Sequence, residues 1–533
     1  MKERTPFLRK LAYVVAMVLL LMPVAWLGAP AARRSANAPG SPGGWLARMR
    51  DDAGLSQANL GEIDPASEAI KLATLGMRGI AANLLWEKAN HYKKTEDWTN
   101  LSATLEQITK LQPNFISVWR FQAWNLSYNV SAEFDDYHDR YYWVMRGVDF
   151  LKEGEEYNRD DPRILRDIGW FISQKIGRSD EHRYFRRLFK QDDDFHPPDR
   201  LPAQRDNWLV GKLWFRRAER VVDEKGTQLR AGGRGTSDLI FFANAPMCQI
   251  NYAEAIEKEG TLDDVARRAW QRAENEWTED YGNRRLKHAQ GEIVLNELDR
   301  LQREQEQLEQ QLDALVPGLR AELVAEREAD LSDAQREALD TPSDQLSDEQ
   351  YVALREAREW LSVSNDDLVQ RLREVAPDKA AEAERLASAA RRNAARIGRT
   401  RRYRNIVNYD YWNTRCQFEQ TPEALRARRM IFEGDEQWQD ADLVEAKRLY
   451  DQGFAAWGEV MDAFPSVIDD PTTGDDLMDV IRRYRRILDE LDEPFPKDFE
   501  LRDVIQYHDD KGEFGDVLNG GSGGGRQNPA SDP

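Results

Sequence analysis

LSATLEQITKLQPNF, residues 101–115, is the stretch whose reading decides the fold. Leu101, Leu105, Ile108 and Leu111 recur at three- and four-residue spacing, which lines one face of an α-helix. Pro113 closes that helix because proline cannot extend the hydrogen-bond ladder. Upstream, residues 67–92 supply a partner helix across a polar turn. Downstream, Phe115, Val118, Trp119, Ala123 and Leu126 mark the next helix, and Tyr142, Met145, Val148, Phe150 and Leu151 mark its mate, which ends before Asp161-Pro162. A third pair runs through Leu165, Ile168, Phe171 and Ile172, turns at Gly177 and continues through Tyr184, Phe185, Leu188 and Phe189. The fold class read from this order is all-α, built of helical hairpins.

Two segments, ITKLQPNF at 108–115 and FLKEGEEYNRDDP at 150–162, resemble the ends of second helices in the tetratricopeptide repeat family, where a terminal proline opens the next unit. Pro113 and Pro162 lie further apart than the family's period of about 34 residues, so SYNVSAEFDDYHD at 127–139 is read as an enlarged turn or a longer helix pair. The resemblance covers 67–190 best and returns at 245–282 and 422–465. It implies an irregular helical-hairpin solenoid and a protein-binding role.

Residues 191–283 combine irregular loops with further hairpins. From 284 to 402 the grammar changes: Leu298, Leu301, Leu308, Leu312 and Leu315 form a charged heptad-like helix with Gln305 as its one polar seam position. Leu386, Ala390, Asn393 and Ile397 form a complementary stripe, so an antiparallel helical arm with 318–376 at its tip is expected, pairing between chains being the alternative. Residues 403–510 return to aromatic-rich, repeat-like helices, and 511–533 form a Gly-rich tail.

At the other end, Lys2, Arg4, Arg9 and Lys10 precede an apolar run from Leu11 to Leu27. As a helix that run reaches roughly 26 Å, close to the hydrocarbon thickness of about 30 Å. A membrane anchor over 1–30 is therefore expected, followed by a spacer over 31–66, with the C-terminal mass on the non-cytoplasmic side, in a bacterial periplasm. Ala29-Pro30-Ala31 keeps signal cleavage and secretion open. The 533 residues are 41% apolar and 32% charged, which is folding material, and a formal charge of −20 disfavours nucleic acid as a partner. Against that balance, Arg391, Arg392, Arg396, Arg399, Arg401, Arg402 and Arg404 make a dense basic stretch. Cys248 and Cys416 are read either as a disulfide or as two buried thiols.

No zinc-protease, phosphate-loop or nucleophile-elbow motif is present, so no catalytic residue, cofactor or metal is assigned. Two constellations remain. Glu133, Asp135, Asp136, His138 and Asp139, beside Tyr137, Tyr141, Tyr142 and Trp143, are candidate partner contacts, while Trp119 and Trp124 are read as packing residues. Asn408, Tyr409, Asp410, Tyr411, Trp412, Asn413 and Arg415 form a candidate polar-aromatic contact set. The expected function is a membrane-associated, non-catalytic scaffold contacting other envelope proteins, with carbohydrate binding or processing as the alternative.

Overall fold

The computed structural model describes Met22, Trp45 and residues 78–225, 237–288 and 291–519. The chain divides into two compact units between Thr236 and Ser237. Apart from Met22 and Trp45, the expected anchor and spacer lie outside the described residues, as does the tail beyond 519. Among the described residues no helix is long and apolar enough to cross a membrane. The expected single-pass architecture is corrected accordingly: the helices described are amphipathic and spend their apolar faces on one another.

In the first unit α1 (Arg78–Lys94) pairs with α2 (Trp98–Leu111), and α3 (Ile116–Trp124) with α4 (Tyr137–Tyr157). α5 (Pro162–Trp170), α6 (His182–Gln191) and α7 (Asn207–Lys225) complete it. Aspartates open the helices by accepting orphan backbone N–H groups. Asp97 accepts from Asn100, Asp136 from His138, and Asp161 from Arg163 and Ile164, with Pro162 at the first helical position. The core is that of a stack of hairpins: Leu101, Leu105, Ile108 and Val118 in one cluster, Trp119, Val144, Val148, Leu151, Ile164, Ile168 and Phe185 in the next.

A device repeats inside this unit. α3 and α5 each widen into a π-helical turn, Asn125–Asn129 after Trp124 and Phe171–Lys175 after Trp170. The sequences WNLS (124–127) and WFIS (170–173) carry it. In both copies a small pair faces a glycine of the following long helix. A Cβ on Gly147 of α4 would collide with Ser127 Oγ and lie 2.7 Å from the Ala123 carbonyl oxygen. One on Gly211 of α7 would lie 2.9 Å from Ser173 Cβ and 3.0 Å from the Gly169 carbonyl oxygen. Asn207 Nδ2 donates to the carbonyls of Ile172 (3.2 Å) and Ser173 (3.1 Å) in the second π turn. Gly177, expected at a turn, sits instead in the last turn of that helical run, against the Trp208 ring.

The second unit opens with α8 (Asp238–Lys258) packed on α9 (Asp264–Asn275). A two-stranded antiparallel ribbon follows, β1 (Leu286–His288) with β2 (Gly291–Ile293), in register Leu286 to Ile293. It is a small departure from the expected all-α class. The arm then runs through α10 (Leu298–Leu315), α11 (Leu319–Ala329), α12 (Asp333–Asp340), α13 (Asp348–Leu361), α14 (Asn365–Val375) and α15 (Ala380–Ile406). α10 and α15 pair within the chain: Asn393 Nδ2 donates to the Leu301 carbonyl (2.7 Å) and to Gln305 Oε1 (3.3 Å), so the one polar seam position meets its counterpart. Leu312, Leu319, Leu368, Leu372, Ala383 and Leu386 close the distal end. The chain returns through α16 (Tyr409–Glu419), which packs on α9, and finishes in α17 (Pro422–Gln439), α18 (Leu443–Ala463), α19 (Pro471–Glu490) and α20 (Arg502–His508) around Tyr450, Phe454, Trp457 and Tyr484. Cys248 and Cys416 are both buried and form no disulfide with each other, and burial pushes the Cys416 thiol up, which leaves it inert.

Candidate docking surface

The acidic constellation of the first unit forms the corner between α3 and α4. Glu133 Oε1 accepts from the indole of Trp98 (3.0 Å), and Asp136 caps α4 by accepting from His138 N (2.7 Å). That backbone hydrogen bond holds the Asp136 carboxyl below its usual range. Asp135 and Asp139 are exposed, and the His138 ring stacks on Tyr137, which stacks on Tyr184. The enlarged turn is mostly wound into the π turn and a 3-10 segment, Val130–Glu133. Among the described residues no group of three or more His, Cys, Asp or Glu is arranged to hold a metal ion.

The second constellation does not converge, because consecutive residues of α16 point to different sides. Tyr409 is buried: its ring stacks on Trp277 at 5.6 Å and its hydroxyl donates to Asn296 Oδ1 (2.6 Å). Asp410 pairs with Arg404. Asn408 takes a left-handed conformation before the helix (φ 49°), and Asn413 accepts from Gln417. Tyr411, Trp412 and Arg415 do meet, with Arg415 Nη1 donating to the Tyr411 hydroxyl (2.9 Å) and its guanidinium 5.8 Å from the Trp412 ring centre. Arg415 then turns inward. It reaches Glu254 (3.5 Å) and Glu419 (3.6 Å), while Arg428 grips Glu419 and lies 3.6 Å from Glu257. Glu257, Arg415 and Glu419 of this network are buried, with Glu254 and Arg428 part-exposed at its edge, and it presents no open carboxylate pair, so the carbohydrate-processing alternative finds no support.

What the sequence reading missed is an exposed strip across α1, α3 and α5. Trp119 is buried as expected, but Trp124 is 43% exposed, and Trp170 at the matching position of the next repeat is 38% exposed. Trp124 stacks on Tyr128 at 5.7 Å, and Tyr128 meets Phe171 edge-on at 5.8 Å. Cations lie between the rings: Lys93 4.9 Å over Phe121, Lys175 4.6 Å over Tyr128, Arg166 5.8 Å from Trp170. Asp167 lies between Arg120 and Arg166 and neutralises part of that charge. Burial lifts the Tyr128 hydroxyl above its ordinary range and lowers the Lys175 ammonium, so both belong to a partly dry surface. The recurrence of Trp-x-x-Ser was the available signal.

A surface depression of about 570 Å³ in the second unit, lined by Asp263, Arg267, Leu425, Arg426 and Arg429, competes less well. Its arginines are engaged, Arg267 by Asp264, Arg426 by Glu459 and Arg429 by the Leu262 carbonyl.

No family model matches the chain, and no curated protein matches it. The tetratricopeptide resemblance therefore reduces to the repeat-like packing of helical hairpins. The membrane-anchored or exported protein, the envelope scaffold and the periplasmic placement that were expected with it are withdrawn, since no described helix is suited to crossing a membrane.

Proposed function

We propose that the first unit is a docking module for an extended polypeptide segment that carries carboxylates and apolar side chains. The observation that carries this reading is the pair of half-exposed indoles, Trp124 and Trp170, held at equivalent positions of successive repeats with Lys93, Arg120, Arg166 and Lys175 around them. Helices in contact are spaced about 8–10 Å apart, which suits side chains a few residues apart on an extended peptide. Aromatic faces supply area at low entropic cost, and the cations select acidic sequences. The acidic corner at Glu133, Asp135, Asp136, His138 and Asp139 has the opposite charge and, in this reading, meets a basic flank of the same segment.

The test uses fluorescein-labelled peptides alternating Glu with Leu and Pro, against a Lys-substituted control. Trp124→Ala with Trp170→Ala should weaken the acidic peptide about tenfold or more, a typical loss for two aromatic anchors. The loss should leave the far-ultraviolet circular dichroism unchanged. Equal binding of the acidic and basic peptides, or an unaffected double variant, removes the reading.

A further inference from the structure

Between Glu384 and Asp410 the chain carries eight arginines and no acidic side chain, in a protein of formal charge −20. Several are used locally: Arg385 pairs with Glu382, Arg391 with Glu384 and Asp366, Arg396 with Glu297, Arg404 with Asp410. Arg399, Arg401 and Arg402 have no ion-pair partner among the described residues, and Arg392 donates only to the Ser388 hydroxyl. Arginines three residues apart on a helix repel each other, so Arg399 and Arg402 cost the helix a little stability that no carboxylate among the described residues recovers. Such local conflict within an otherwise self-consistent element marks a surface kept for something else.

The geometry of α15 is specific. Ala383, Leu386, Ala390 and Asn393 are buried toward the rest of the arm. At 3.6 residues per turn the opposite row is Ser388, Arg392, Ala395, Arg399, Arg402 and Ile406. That row combines Ser388, Ala395 and Ile406 with three arginines at three- and four-residue spacing, which is the spacing at which one helix receives the side chains of another. It is open: a Cβ on Gly398 beside it would meet nothing within 4 Å, and Ile406 at its end is 55% exposed.

We propose that this row is a docking surface for an acidic amphipathic helix of a partner protein. The partner's carboxylates pair with Arg392, Arg399 and Arg402, and its apolar side chains seat over Ser388, Ala395 and Ile406. Charge complementarity selects the ligand. Nucleic acid fits less well, because a phosphate chain has no apolar side chains to seat over Ser388, Ala395 and Ile406, which lie between the arginines of the row. The proposal is independent of the strip in the first unit.

The probe is a synthetic three-heptad peptide with Leu and Glu on one face, followed by fluorescence anisotropy with the full chain. Binding should weaken about tenfold or more in Arg392→Gln, Arg399→Gln, Arg402→Gln, and more steeply with added salt in the parent than in the variant. Charge reversal at Arg399→Glu and Arg402→Glu should transfer binding to the Lys counterpart of the peptide, which a merely structural role would not do. All three positions face solvent or its edge, so circular dichroism should be unchanged. Failure of the parent to bind the Glu peptide, equal affinity in the variant, or tighter binding of a thymidine oligonucleotide would each overturn the proposal, whatever the result for Trp124 and Trp170.

Discussion

Glu257 shares Arg428 with Glu419, which holds that guanidinium more closely, and Glu257 itself is left with the Trp270 indole donating to Oε1 at 2.8 Å. Burial, then the neighbouring Glu419 carboxylate, push its carboxyl up to about 8 against an ordinary 4.5. The protonated carboxyl is therefore favoured in the fold but not in the unfolded chain, and this group makes stability fall as pH rises from 4.5 towards 8. Glu257→Gln keeps an acceptor for Trp270 and removes the ionisation. The variant should match the parent near pH 5 and exceed it at pH 9 by about 2 kcal/mol. Urea unfolding at the two pH values measures this; a variant less stable at both would show that the ionised carboxylate is the stabilising form. Arg415 was singled out from the sequence for its aromatic neighbours, but its carboxylate partners Glu254 and Glu419 come from two helices, one of them far away in sequence. The sequence reading places Trp124 among the packing residues, yet the register of α3 turns Val118, Trp119 and Ala123 inward and leaves Trp124 out.

α3 and α5 are each interrupted by a π turn at the point where a glycine of the next long helix comes closest. Ala is a better helix former than Gly by about 1 kcal/mol, so Gly147→Ala should stabilise α4 if space allowed. It does not, since the new methyl would meet the Ala123 carbonyl at 2.7 Å as well as Ser127 Oγ. Backbone cannot yield as a side chain can, and overpacking of this kind costs about 1–3 kcal/mol. The net expectation is a loss of about 1–2 kcal/mol for Gly147→Ala, only partly recovered by adding Ser127→Ala. Gly398→Ala in α15, where nothing lies within 4 Å, should instead stabilise slightly. Thermal melts of these variants decide the point, and a neutral Gly147→Ala would mean that the two helices can separate at no cost. The spacing of apolar residues revealed these helices, including α2, which carries Leu101, Leu105, Ile108 and Leu111 and ends ahead of Pro113. It could not reveal the π turns, because one extra residue in a turn leaves the pattern of apolar residues nearly unchanged.

Across the whole molecule the arm is an insertion into a body that closes beneath it. Trp277, just after α9, donates to the Tyr409 carbonyl (3.0 Å), and the Tyr409 hydroxyl reaches Asn296 at 2.6 Å, so the two ends of the arm meet. Replacing residues 298–406 with a short Gly-Ser linker should leave the remaining second unit folded, with one cooperative calorimetric transition within a few degrees of the parent. Aggregation or loss of that transition would show that the body depends on its arm. The sequence by itself determined the helical class, the first two hairpins and Gln305 as a polar seam position, because periodicity and a single polar seam position are local properties of a helix; that Asn393 meets Gln305 within one chain, and that α5 packs on α7, came from the tertiary structure. Only the tertiary structure decided which aromatic residues stay exposed, which carboxylates share an arginine, and which arginines of α15 find no carboxylate among the described residues. Those outcomes depend on which helix faces meet, and a face acquires its neighbours only when segments far apart in sequence pack together.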